Sequence, residues 1–206
     1  MKSLSIPCLV LCLCASVASA GPIVSGDGSE TCFDPGSSGC SVMSVIPHPA
    51  WQPNHPNGTA AAWVSFGDTG WPGTLAVPNS ASPVAWFYED LVLDTVSAIA
   101  LRVWGDDTVA VFLNGLVQNV PNFTQDTCAN GSIGCEPDEY MDFAWLLGAG
   151  SHRITFGMYQ IGGGPTGLLY TGSVEPSATS VPEPGTLALL GAGLIAVGLM
   201  RRRRFD

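Results

Sequence analysis

The sequence predicts an all-β protein built as a single β-sandwich. Three observations carry this. Between the two chain ends, apolar residues alternate with polar or small ones over short runs, and Gly, Pro, Asn and Asp break the runs. An Asn-Gly pair, Asn114-Gly115, sits between two such runs as a tight hairpin turn requires. No segment of the middle region carries a helical period, and no internal repeat divides it.

Taken in order, the expected strands are 60–66, 84–88, 97–104, 108–113, 116–120, 153–159 and 167–172. The best local case is the hairpin of 108–113 with 116–120, because Asn-Gly accepts the positive φ angles of a type I′ turn. In its first strand Val109, Val111 and Leu113 share one face, with Ala110 and Phe112 on the other. The domain plan reads 1–20 export signal, 21–41 loop segment, 42–174 sandwich, 175–185 linker, 186–200 membrane helix and 201–206 basic tail.

The first segment has the parts of a secretory signal. Lys2 gives the positive start, residues 4–13 are mostly apolar, and Ala18-Ser19-Ala20 offers small residues for cleavage before Gly21. The apolar run is too short to span a bilayer. A lipoprotein signal is the alternative, at Cys12 or Cys14, although each follows a leucine where a small residue is wanted. Removing the signal leaves Cys32, Cys40, Cys128 and Cys135 of the seven cysteines. Four cysteines in an exported chain suggest two disulfides with three connectivities open. Local pairing, Cys32 with Cys40 and Cys128 with Cys135, is favoured because both intervals are turn-rich loops that fold back readily. Neither interval has the close spacing of a structural zinc site.

Charge separates function classes. Residues 21–180 hold fifteen Asp or Glu against two cations, Arg102 and Arg153, a net charge of −13. Such a surface repels phosphate backbones, so nucleic acid is not a partner. It keeps the domain soluble, and calcium is the cofactor that it would suit. Glu136 and Asp138, with Glu139 and Asp142 nearby, form one acidic group, and Asp106-Asp107 forms another. No calcium-loop motif is present, so solvated turns are the expected reading of both. No G-x-S-x-G elbow, H-E-x-x-H helix or phosphate-cradling loop occurs. His48 and His55 precede prolines in a loop without ligand spacing. Six tryptophans remain. Trp51 and Trp71 lie in Pro-rich loops, where an aromatic plane suits a sugar ring or packing over the sandwich edge. Trp63, Trp86, Trp104 and Trp145 fall in or beside strands and are expected in the core.

The C-terminal end is specific. Residues 187–200 carry no charge, and as a helix they would measure roughly 21 Å against the ~30 Å hydrocarbon core. Arg201, Arg202, Arg203 and Arg204 follow, which no buried core helix tolerates and which suit the cytoplasmic end of an inner-membrane segment. Pro182-Glu183-Pro184, the apolar segment and the arginine cluster together resemble the PEP-CTERM sorting signal of Gram-negative bacteria. The resemblance implies recognition by an exosortase, a membrane-embedded cysteine-protease-like enzyme, with cleavage near the triplet. The mature chain would then end near residue 183, at the cell surface or in extracellular polysaccharide.

The middle region has a resemblance of its own. Trp104-Gly-Asp-Asp-Thr-Val-Ala-Val-Phe-Leu-Asn-Gly115 is similar to the strand-turn signature of galactose-binding-like, jelly-roll β-sandwich domains. Trp63-Val-Ser-Phe and Gly167-Leu-Leu-Tyr-Thr-Gly172 also resemble members with PEP-CTERM tails. The resemblance spans roughly 42–174 and implies a jelly-roll sandwich with carbohydrate association. Such folds host many functions. A noncatalytic surface or matrix protein associated with extracellular polysaccharide is therefore the first expectation. A structural or adhesion module contacting another protein is the second, and a glycan hydrolase with paired carboxylates is the third.

Overall fold

The computed structural model describes residues 21–26, 32–33, 42–73, 79, 81–123, 133–177 and 193. The export signal, Cys40, Cys128, the Pro182-Glu183-Pro184 triplet, the expected membrane helix and Arg201–204 lie outside them. Among the described residues no helix is long and apolar enough to cross a membrane.

Among the described residues eleven strands form two antiparallel sheets. In chain order they are β1 (Gly21–Val24), β2 (Cys32–Phe33), β3 (Met43–Ser44), β4 (Val64–Ser65), β5 (Ala85–Leu93) and β6 (Ser97–Asp106). Then follow β7 (Thr108–Leu113), β8 (Leu116–Val117), β9 (Met141–Leu147), β10 (Gly150–Tyr159) and β11 (Gly167–Pro176). The first sheet runs β3-β4-β11-β6-β9, with β1 also on β11, and the second runs β2-β5-β10-β7-β8. The chain passes from one sheet to the other at most connections, as a jelly-roll winding does. Each sheet buries one face, so the inward residues alternate with outward ones. Phe87, Ile99, Leu101, Val103, Val109, Val111, Ile154, Phe156, Met158, Leu168 and Tyr170 fill the layer between the sheets.

The hairpin follows expectation. Val109, Val111 and Leu113 are buried, and Asn114 (φ 51°) and Gly115 (φ 80°) both take the left-handed conformation of a type I′ turn. The ladder is shorter than expected, ending at Val117 rather than at 120. Beyond it, the buried Asn119 side chain takes the place of a strand backbone: its Oδ1 accepts from the Val111 N–H (2.6 Å) and its Nδ2 donates to the Val109 carbonyl (2.8 Å). A side-chain amide has the same donor and acceptor as a peptide group, so the edge of β7 stays satisfied.

Other boundaries move. Only Val64–Ser65 of the expected 60–66 strand pairs, because Ala60-Ala61-Ala62 lacks alternation and the Ala62 N–H goes to the Ser25 carbonyl instead. β9 was not expected; it pairs with β6 from Ser97↔Leu147 to Val103↔Met141. β1 joins β11 from Gly21↔Val174 to Val24↔Thr171, and β11 continues to Pro176. Strand pairing therefore carries the sandwich from Gly21 to Pro176, wider than 42–174, because residues read as loop and linker complete the first sheet.

A satellite cluster covers part of the outer face of the first sheet. Trp51, Trp63, Trp104, Leu169, Val45, Ala61 and Cys135 pack together there, with Trp51 and Trp63 ring centroids 4.3 Å apart. Cys135 is disulfide-bonded. Gly167 belongs to this cluster by close approach: a Cβ there would meet Trp63 at 3.0 Å and Trp51 at 3.2 Å.

Candidate functional site

The outer face of the second sheet collects several aromatic residues that the core leaves out. On β5 the inward set is Ala85, Phe87, Glu89, Leu91 and Leu93, which turns Trp86, Tyr88, Asp90 and Val92 outward. Register then places Trp86 beside Gly157 and Ala110, and Tyr88 beside Thr155 and Phe112. Trp86 is 37% exposed. It lies across β10, since its ring atoms Cζ3 and Cη2 come within 2.9 and 3.2 Å of the place a Gly157 Cβ would occupy. Only glycine leaves that room. The Trp86 and Phe112 rings meet at 5.6 Å with a 51° tilt, and farther along the same face Phe123 stands edge-on to Tyr159 at 4.9 Å.

Beside Tyr88, the next outward pair is Asp90 and Arg153. The Arg153 guanidinium donates through Nε and Nη2 to the two Asp90 oxygens, at 2.7 Å each, and lies 4.1 Å over the Tyr88 ring. The hydrogen bond from Arg153 holds the Asp90 carboxyl below the usual carboxylate range, against a smaller opposing effect of burial. Asn114 ties the hairpin tip to this row: its Oδ1 accepts from the Arg153 N–H at 2.9 Å. The result is an exposed, mostly apolar aromatic strip with a polar, charge-paired end. Such a surface offers rings for apolar C–H faces and fixed polar groups for hydroxyls.

The opposite sheet carries a second feature. A cleft of about 390 Å³ is lined by Ala100, Arg102, Asp142, Ala144, Thr171 and Ser173 among others. Arg102 donates to both Asp142 oxygens (2.6 and 2.7 Å) and lies 3.6 Å over Tyr140. This bond lowers the Asp142 pKa and raises that of Arg102.

The residues singled out in the sequence fall differently. Trp51, expected in a loop as a stacking plane or as edge packing, is buried with 3% exposure against Trp63, so neither face is left for a ligand. Trp71 is 45% exposed and meets His48 edge-on at 4.7 Å, with the exposed Ile46 bonded to it through the backbone. Asp106 and Asp107 are not solvated turn residues; both are buried. Burial first, then its hydrogen bond and proximity to Asp107, raises the Asp106 pKa well above the ordinary value, while a hydrogen bond from the Trp51 indole opposes this. The Asp107 carboxylate accepts from the Ile161 and Gly162 N–H groups, pinning the glycine-rich loop. Glu136 is half-buried and Asp138 exposed. Glu139 accepts from the Glu136 N–H (3.2 Å), and desolvation raises its pKa. Among the described residues no three His, Cys, Asp or Glu side chains gather as a metal site would need.

The reading of tryptophans by strand membership missed Trp86. The alternation of 85–93 did contain the information, since it puts Trp86, Tyr88 and Asp90 on one face.

Residues 180–204 match the PEP-CTERM protein-sorting motif. No curated protein sequence matches the chain. Among solved structures, a family 35 carbohydrate-binding module from Clostridium thermocellum aligns at 7% identity and a TM-score of 0.41, covering 76% of this chain and 99% of that one. The family 35 module from Paenibacillus barcinonensis aligns at 10% identity and 0.38, covering 77% and 99%. The Podospora anserina GH26-CBM35 β-(1,4)-mannanase aligns at 14% identity and 0.39, covering 81% of this chain and 29% of the enzyme.

Proposed function

We propose that this chain, which carries a PEP-CTERM protein-sorting motif at 180–204, is an exported surface or matrix protein whose sandwich binds extracellular polysaccharide. The observation that carries the reading is Trp86 lying across Gly157 beside Phe112 on the exposed sheet face. One side of a pyranose ring presents C–H groups, and an exposed indole removes that surface from water at little entropic cost because the ring is already seated. The Asp90–Arg153 pair next to it supplies hydrogen-bonding groups for hydroxyls. Exposed Trp71 is a second candidate contact at the loop end.

The reading is noncatalytic. Glycoside cleavage needs a carboxylic acid to protonate the leaving oxygen. On this face Asp90 is held ionised by Arg153, which removes it from that role. The export signal, exosortase processing near Pro182-Glu183-Pro184 and local pairing of Cys128 with Cys135 belong to the same proposal. The test is co-sedimentation of the protein with insoluble polysaccharides and affinity electrophoresis in soluble ones. Binding that disappears in Trp86→Ala supports the reading. Binding to a protein partner and to no polysaccharide would turn it into the adhesion reading.

A further inference from the structure

The domain has no spare cation. Between residues 21 and 200 the only Lys or Arg side chains are Arg102 and Arg153. Both are spent in the same way: each guanidinium makes two hydrogen bonds to one aspartate and stacks on a tyrosine, Arg153 on Asp90 and Tyr88, Arg102 on Asp142 and Tyr140. One pair borders the aromatic strip, and the other sits in the cleft of the opposite sheet. A bidentate fork onto a carboxylate is the arrangement by which arginine recognises carboxylate or phosphate ligands. Here an internal aspartate already fills that fork on both faces. The fifteen acidic residues of 21–180 leave the field strongly negative.

We infer that the aromatic face selects uncharged glycans and rejects polymers bearing carboxylate, sulfate or phosphate. This rests on the reading of Trp86 and Phe112 as a glycan platform. An acidic polymer approaching the strip meets no free cation and repeats its repulsion at every charged unit. An uncharged polymer carries no such cost, and its hydroxyls find a paired, polar edge at Asp90–Arg153.

The experiment uses the full chain and polymer pairs that share a backbone and differ in charge. Hydroxyethylcellulose is set against carboxymethylcellulose, and methyl-esterified polygalacturonan against its de-esterified form. At low salt the acidic member of a bound pair is expected to bind at least about tenfold more weakly, and the gap should narrow at high salt. Asp90→Asn, which frees the Arg153 fork, should narrow the gap at low salt by strengthening binding of the acidic member. Equal or tighter binding of the acidic member by the parent chain, abolished in Trp86→Ala, overturns the inference and leaves the platform reading standing. Failure to bind either member of both pairs, or any other uncharged polysaccharide tried, overturns the platform reading and the inference with it.

Discussion

Tyr170 of the first sheet donates its phenolic hydrogen to the carboxylate of Glu89, which points inward from the second sheet. Both residues are buried, and the Tyr170 ring stacks on Phe156 at 4.7 Å. This places a polar bond across a largely apolar layer. Removing the Tyr170 hydroxyl takes a hydrogen bond from a buried carboxylate that water cannot reach. Tyr170→Phe should therefore destabilise the domain by about 1–3 kcal/mol in denaturant melts. The double variant Glu89→Leu with Tyr170→Phe should recover part of the loss, since an apolar pair has nothing left to satisfy. Strict additivity of the two single changes would show that the bond carries no coupling.

The edge of β7 gives a second test. Asn119→Leu deletes the side-chain amide that serves Val111 and Val109. The loss should be about 1–3 kcal/mol, measured as a lower denaturation midpoint with an unchanged slope. Gly115→Val, which puts a β-branched residue at φ 80°, should cost a similar ~1–3 kcal/mol.

Asp106 makes stability depend on pH. Its folded pKa is raised, mainly by burial, so the folded state holds a proton that the unfolded state has lost. The contribution is fully present below about pH 4, the unfolded value, and declines as pH rises through the raised folded value. Asp106→Asn keeps an acceptor for Trp51 and removes the titration. The difference in melting temperature between this variant and the parent should shift in favour of the variant from pH 4 to neutral. A constant difference across that range would show that Asp106 does not titrate differently on folding.

On the aromatic face, Trp86→Ala should weaken polysaccharide binding by about thirtyfold or more, as truncating a central aromatic anchor does. Gly157→Val should do the same by lifting the indole from its seat, since its side chain would occupy the space of the Trp86 ring. Isothermal titration with any polymer bound by the parent chain reads both effects.

Processing of the tail is tested by intact mass. A mature form ending near residue 183 is expected, and peptide mapping without reduction should join Cys135 to Cys128. A surface form that retains Arg201–204, or a link from Cys135 to Cys32 or Cys40, would contradict these assignments.

Much of the fold was legible in residue pattern, and the reasons are local. Asn114-Gly115 fixes a turn because few other pairs accept two positive φ angles, so the hairpin needed no tertiary information. The exposed aromatic face was not legible because alternation separates two faces without saying which is inside. On β5 the buried set contains Glu89, while the outward set contains Trp86, Tyr88 and Val92. The inward set is the more apolar of the two but for Glu89, and the Tyr170 hydroxyl that bonds this buried carboxylate is eighty-one residues away in sequence. Asp106 and Asp107 read as a solvated turn for the same reason: their partners Trp51, Ile161 and Gly162 are distant in sequence.

The position of β11 has a mechanical side. Among the described residues it is the last strand before the sorting motif, yet it is internal to its sheet, with β1 and β4 on one flank and β6 on the other. Ten consecutive residues, Gly167 to Pro176, pair with β6. A pull on the C-terminal end of β11 directed along the strand axis acts at right angles to its ladder hydrogen bonds. Those bonds are then loaded in shear and must yield together, whereas a hairpin peeled from its open end gives way one bond at a time. A force on that end would thus be carried by the whole ladder at once rather than by its last bond.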